Sequence, residues 1–123
     1  LDMTRRVLQQ QLKERRGPWT LAKDFDSAAP IGPIQLGAPP KSGPISLAVN
    51  GEVRQTGDLS HMLWDVDALV GYLNQYDALA EGDLIFTGTP AGVGPVVVGD
   101  QLDAQISGLP SLHVMIVDSS EGV

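Results

Sequence analysis

The chain has 123 residues, 42% of them hydrophobic, with 14 Gly, 9 Pro, no Cys and a formal net charge of −7. That apolar content suffices for a folded chain of one domain at most, while the missing Cys excludes a disulfide framework, a thiolate nucleophile and any Cys-ligated zinc or iron–sulfur centre. All eight Lys and Arg fall in residues 1–54 beside five acids, whereas residues 55–123 hold ten acids and no Lys or Arg, a balance that opposes nucleic acid or an acidic membrane as partner.

No apolar stretch reaches the roughly 20 residues of a membrane span, and no signal-peptide pattern opens the chain, so a soluble, cytoplasmic protein is expected. The first residues, Leu-Asp-Met-Thr, leave no room for a preceding turn or cap. The chain is therefore expected to start inside a domain.

In chain order, Thr4 to Arg16 reads as a helix, with Val7, Leu8 and Leu12 on one side and Gly17-Pro18 after a basic last turn. Arg5, Lys13, Arg15 and Arg16 are expected to be solvated. Pro18, Pro30 and Pro33 exclude a continuous helix in the next stretch, and residues 37–44 have the composition of a surface connection. Ile45, Leu47 and Val49 alternate with small residues up to Asn50-Gly51, and Val53 resumes, which predicts a hairpin. Val66, Leu69, Val70 and Leu73 are spaced as one helical face, with Asp65 as cap, and this helix is expected to lie on a sheet. Glu81-Gly82-Asp83 turns into Leu-Ile-Phe-Thr-Gly-Thr-Pro (84–90), expected as a buried strand that ends in hydroxyls. Alternation at Leu102, Ala104 and Ile106, and again at Leu112, Val114 and Ile116, predicts two further strands.

Three clusters could carry chemistry. Asp2, Arg6 and Gln9 share a face if the first helix reaches back to Asp2; the alternative is an i,i+4 ion pair at a helix start. Lys23 sits among Leu21, Ala22 and Phe25 and is either a partly desolvated ammonium suited to a developing oxyanion or an exposed Lys paired with Asp24 or Asp26. The glycine-rich run Thr87 to Pro95 offers backbone N–H groups and hydroxyls to a carboxylate, or is a tight structural turn. His61 and His113 lack metal-ligand spacing and read as structural or exposed. Asp24-x-Asp26 and Asp65-x-Asp67 are conceivable metal carboxylates, the second more simply a helix cap. Ser60 and Ser111 have no nucleophile-elbow context.

Taken together and in order, LDMTRRVLQ, GPWTLAKDFD, APIGPI, VNGEVRQTG, EGDLIFTGTPAGVGPV and VGDQLDAQISGL resemble the fumarylacetoacetate hydrolase family, most of all its acylpyruvase and fumarylpyruvate hydrolase branch. The resemblance implies an α+β fold of mixed, layered β-sheets with a few short helices, of which residues 1–123 would form the C-terminal part of one catalytic domain. It implies a Mg²⁺ or Mn²⁺ enzyme, usually a homodimer, that hydrolyses a C–C bond of a small 2-oxo acid through a pyruvate enolate. By the same resemblance Asp2 is a metal ligand, Arg6 and Thr89 bind substrate, and Lys23 and Gln9 are catalytic, Lys23 also contacting substrate. Oxaloacetate decarboxylation, isomerisation of 2-hydroxyhepta-2,4-diene-1,7-dioate, and a non-catalytic binding role are the alternatives. Two departures stand out. No Glu-x-Glu is formed by Glu14, Glu52, Glu81 or Glu121, so residues 1–123 alone are expected to be inactive, and Val7 replaces the family's usual acid after the arginine.

Overall fold

A computed structural model describes residues 1–118. It divides into two compact units, Leu1–Ile31 and Gly32–Val123, and each is taken by itself.

In the first unit, residues 3–5 are not helical, and the Met3 and Arg5 N–H groups donate to Ala28 O (2.8 Å) and Ala22 O (3.0 Å). Helix α1 accordingly spans Arg6–Glu14, two residues shorter at each end than the spacing predicts, and Asp2 lies off it. Its end is closed by bonds from Gly17 N to Leu12 O (2.9 Å) and from Arg16 N to Lys13 O (3.0 Å), the pattern of a Schellman cap. The left-handed residue of that cap is Arg16, at φ 54, rather than the neighbouring glycine. A single-turn helix α2, Thr20–Lys23, follows; its Ala22 is buried, as is Ala28. Two of the cations expected to be solvated are exposed and also sit over rings: Arg5 lies 4.4 Å from the Phe25 centroid and Lys13 5.4 Å from that of Trp19.

The second unit is built on a four-stranded antiparallel sheet of β1 (Pro44–Val49), β2 (Glu52–Asp58), β3 (Gln101–Ile106) and β4 (Leu112–Met115), in the order β2-β1-β3-β4. The α+β class and the strand alternation match expectation. The β1–β2 hairpin turns at Asn50-Gly51, both with positive φ (51 and 81), which the right-handed twist of a two-residue turn requires. Asn50 also fastens the turn to β3, since its amide donates to Asp100 and its carbonyl accepts from Gln101 N. Hydrogen bonds from Val97 N–H and Asn50 hold the Asp100 carboxyl below its ordinary pKa.

Cross-strand register puts Ile45, Leu47, Val49, Leu102, Ala104, Ile106, Leu112 and Val114 on one face, and Val49 and Leu102 are its buried members. A bulge interrupts the register of β2: Leu47 pairs with Gln55 while Ala48 pairs with Val53, so Arg54 is the extra residue. His113 lies exposed on β4, 2.5 Å from its cross-strand partner Asp103.

Helix α3, Val66–Leu73, is capped as expected, the Asp65 carboxylate accepting from Ala68 N at 2.8 Å. It does not lie on the sheet, and none of its residues is buried. Its first turn instead borders a crevice with Pro39, Pro40, Leu59 and Met62, clamped by Lys41 Nζ at 2.6 Å from Asp67. That bond raises the Lys41 pKa. Residues 84–90 do not form the buried strand expected of them. Neither edge of the sheet, β2 or β4, is registered with that segment, so its backbone has no ladder, and Leu84 and Phe86 are exposed. No helix among the described residues is long and apolar enough to cross a membrane.

Candidate active site

The first unit holds four of the five residues singled out above, in two pairs. Lys23, at the end of α2, turns its ammonium onto the 2–4 segment. It lies 2.6 Å from Asp2 Oδ1, 2.8 Å from Thr4 Oγ1 and 3.1 Å from the Met3 carbonyl. An ammonium has three protons, and each here has an acceptor. The side chain is 30% exposed, open enough for an incoming oxygen to displace one of the three. The partner of Lys23 is thus Asp2, not Asp24 or Asp26, and no Asp2–Arg6 ion pair forms. The reason is that α1 begins only at Arg6, so Asp2 is off the α1 face and pairs with Lys23 of α2.

Arg6 instead donates from Nη1 to Gln9 Oε1 at 2.9 Å, one helical turn along α1. Gln9 is buried to 8% exposure, and its amide oxygen restrains the guanidinium that donates to it. One unit therefore carries both a guanidinium bound to an amide oxygen and a carboxylate-bound ammonium.

Thr89, the fifth residue, belongs to the second unit, on the loop 87–92. The loop is held on the apolar face of the sheet by Gln55, whose Nε2 donates to Thr89 Oγ1 (2.8 Å) and to Pro90 O (2.7 Å). Gly92 approaches the bulge so closely that a Cβ there would stand 2.1 Å from Arg54 O. Sequence reasoning passed over Gln55, and only its place in VNGEVRQTG hinted at it. Thr4, which adds the hydroxyl at Lys23, was also passed over.

The family profile described as "Fumarylacetoacetate (FAA) hydrolase C-terminal" matches residues 1–117. The chain belongs to the fumarylacetoacetate hydrolase family. It is 40% identical over 119 residues to "Oxaloacetate tautomerase FAHD1, mitochondrial" of Mus musculus, covering 94% of this chain and 54% of that protein. It is 37% identical over 119 residues to a fumarylpyruvate hydrolase of Ralstonia, covering 94% and 62%. Among solved structures, fumarylpyruvate hydrolase of Pseudomonas aeruginosa in complex with Mn²⁺ and pyruvate superposes with a TM-score of 0.88 at 46% identity, covering 94% of this chain and 51% of that one. The chain thus spans about half the length of the mouse relative it matches.

The metal implied by the family does not find a complete site here. A hard divalent cation requires several oxygen ligands, yet no group of three His, Asp or Glu side chains converges among the described residues, and Asp2 is engaged by Lys23. The Asp24-x-Asp26 and Asp65-x-Asp67 pairs form no such group either. Glu121 lies outside the described residues.

Proposed function

We propose that this chain supplies the substrate-holding part of an enzyme that hydrolyses a C–C bond in 2,4-dioxo acids of the fumarylpyruvate or acetylpyruvate kind. The observation that carries the reading is the Lys23 ammonium, bound to Asp2, Thr4 and the Met3 carbonyl yet partly open. In the proposed step, water adds to the distal carbonyl carbon and the bond between that carbon and its neighbour breaks. The electron pair passes to the three-carbon fragment as pyruvate enolate, and a proton then returns to its terminal carbon. Lys23 exchanges one of its acceptors for the enolate oxygen and holds the charge there, where a positioned ammonium is worth far more than in water. Arg6, braced by Gln9, pairs with the substrate carboxylate. Thr89 is assigned a second hydrogen bond to substrate. Asp2 is assigned to a divalent cation, Mg²⁺ or Mn²⁺, which would need ligands beyond those the described residues bring together; the support is the Mn²⁺ in the Pseudomonas structure. A homodimer and a cytoplasmic location belong to the same proposal and rest on resemblance.

A second reading is favoured by the relatives at 40–42% identity named oxaloacetate tautomerase. Moving a proton between C3 and the enol oxygen of oxaloacetate passes through the same enolate without water. The test uses the longest polypeptide encoded by the reading frame, supplied with Mn²⁺, and follows loss of enol absorbance from acetylpyruvate and, separately, from oxaloacetate. Lys23→Met should lower kcat at least about 100-fold with folding retained, in keeping with the loss of a preorganised charge. Undiminished turnover in that variant removes Lys23 from the mechanism, and activity on oxaloacetate enol alone selects the tautomerase.

A further inference from the structure

Gln55 stands on the apolar face of the sheet, paired across β1 with Leu47, and is 8% exposed. A buried amide must satisfy its donors, and both protons of Nε2 are spent on one loop. The Pro90 carbonyl can only accept, so the amide atom 2.7 Å from it is the nitrogen, and the same nitrogen lies 2.8 Å from Thr89 Oγ1. The assignment has a consequence for Thr89. Its oxygen is the acceptor in that bond, so its own proton is left to be donated elsewhere, and Thr89 is exposed.

We infer that Gln55 is a positioning residue that fixes the Thr89 hydroxyl as an outward-pointing donor for the carboxylate of a 2-oxo acid. The inference rests on the role proposed for Thr89 above. Two close approaches show that the loop is seated rather than draped. A Cβ on Gly57 would meet Pro90 at 3.1 Å, and one on Gly92 would overlap Arg54 O, so the backbone of 90–92 fits against β2 at the bulge. The bulge presents Gln55 and not its neighbour to the loop, the kind of re-aiming for which bulges next to active sites are known. A hydroxyl that accepts from an amide N–H keeps its own proton turned away from that nitrogen, where a carboxylate can accept it. That polarity suits an anion.

The test inverts it. Gln55→Glu keeps shape but replaces the donor with an acceptor, so the Thr89 hydroxyl turns inward and shows lone pairs to the ligand. Binding of pyruvate to the chain is followed by NMR at the backbone amides of residues 87–89, which every variant retains. Gln55→Glu should weaken it about ten-fold or more at neutral pH, the loss expected when a charged group forfeits one hydrogen bond. Lowering the pH far enough to protonate the introduced carboxylate should restore part of it. Thr89→Ser should bind within about two-fold of wild type and Thr89→Val should bind weakly. Unchanged affinity in Gln55→Glu alongside weak binding in Thr89→Val overturns the positioning role and leaves Thr89 in place. Equal binding by wild type and Thr89→Val removes Thr89 from the site, and this inference with it. Should Gln55→Glu not fold, the wild-type spectrum decides: both Gln55 side-chain amide protons should exchange slowly, and one of them should shift in Thr89→Val. Rapid exchange of both, as in a surface glutamine, overturns the inference.

Discussion

The seat of the 87–92 loop can be probed through its glycines, because the structure separates two costs that usually come together. At Gly94 an added Cβ meets nothing within 4 Å and no left-handed φ is involved; at Gly88 the space is open but φ is +96; at Gly92 φ is +102 and the Cβ would stand 2.1 Å from Arg54 O. Gly94→Ala should therefore change stability by no more than about 0.5 kcal/mol, as an open surface substitution does. Gly88→Ala adds left-handed strain of about 1–2 kcal/mol. Gly92→Ala carries that strain plus an overlap with a backbone oxygen, which no side-chain rotation relieves. Overpacking typically costs about 1–3 kcal/mol, so the total is about 2–5 kcal/mol unless the loop detaches first. The assay is urea unfolding in a Trp19→Phe background, so that Trp64 alone reports on the second unit. The expected order is Gly94, Gly88, Gly92, from least to most costly. A Gly92→Ala protein as stable as Gly88→Ala would refute the contact with Arg54, and with it the seating of the loop on β2.

Arg16 is the left-handed residue of the α1 cap, so Arg16→Gly should stabilise the first unit by about 1 kcal/mol, read as a higher urea midpoint of Trp19 fluorescence in a Trp64→Phe protein; a lower midpoint would mean that the cap is not formed. Asp58 and Asp100 have carboxyl pKa values held below the ordinary value, Asp58 chiefly by hydrogen bonds from Ser60 and Asp100 chiefly by the Val97 N–H. A folded-state pKa below the unfolded one contributes stability above the unfolded value, near about 3.9, and that contribution is lost as pH falls through the folded value. Asp100→Asn should therefore lower the neutral-pH midpoint and flatten the fall in stability below about pH 4, whereas an unchanged acid limb would show that the Asp100 bonds do not form in solution.

What could be read in the sequence was local. The hairpin followed from Asn50-Gly51 because a turn with two positive φ values selects those residue types wherever it occurs. The α3 cap followed from Asp65 for a similarly short-range reason. The start of α1 was not local: the donors of Met3 and Arg5 go to carbonyls in residues 22–28, and that long-range pairing moved Asp2 from Arg6 to Lys23. The 84–90 segment erred the other way. Its apolar residues suit a strand, but a strand exists only with a neighbour, which a propensity cannot supply.

Gln55 shows most clearly how a local rule fails where a site is built. Counting back from a two-residue turn, Val49 faces Glu52 and Ala48 faces Val53, so Leu47 should face Arg54, placing a guanidinium on the apolar side of the sheet. Burying that charge unpaired is far costlier than burying an amide with both protons bonded. The bulge resolves the conflict by leaving Arg54 unpaired in the ladder, its guanidinium 3.2 Å from Glu52 at the surface, and by setting Gln55 opposite Leu47 instead. A one-residue slip exchanges the two faces of a strand, and here it exchanges a charge that the apolar face cannot hold for an amide that orients Thr89. The same irregularity that keeps Arg54 in solvent therefore joins β2 to the candidate substrate loop. Deleting Arg54 would leave Gln55 opposite Leu47 in a regular ladder, yet it would also remove the carbonyl against which Gly92 is seated, so the strand would straighten while the loop that carries Thr89 lost part of its footing.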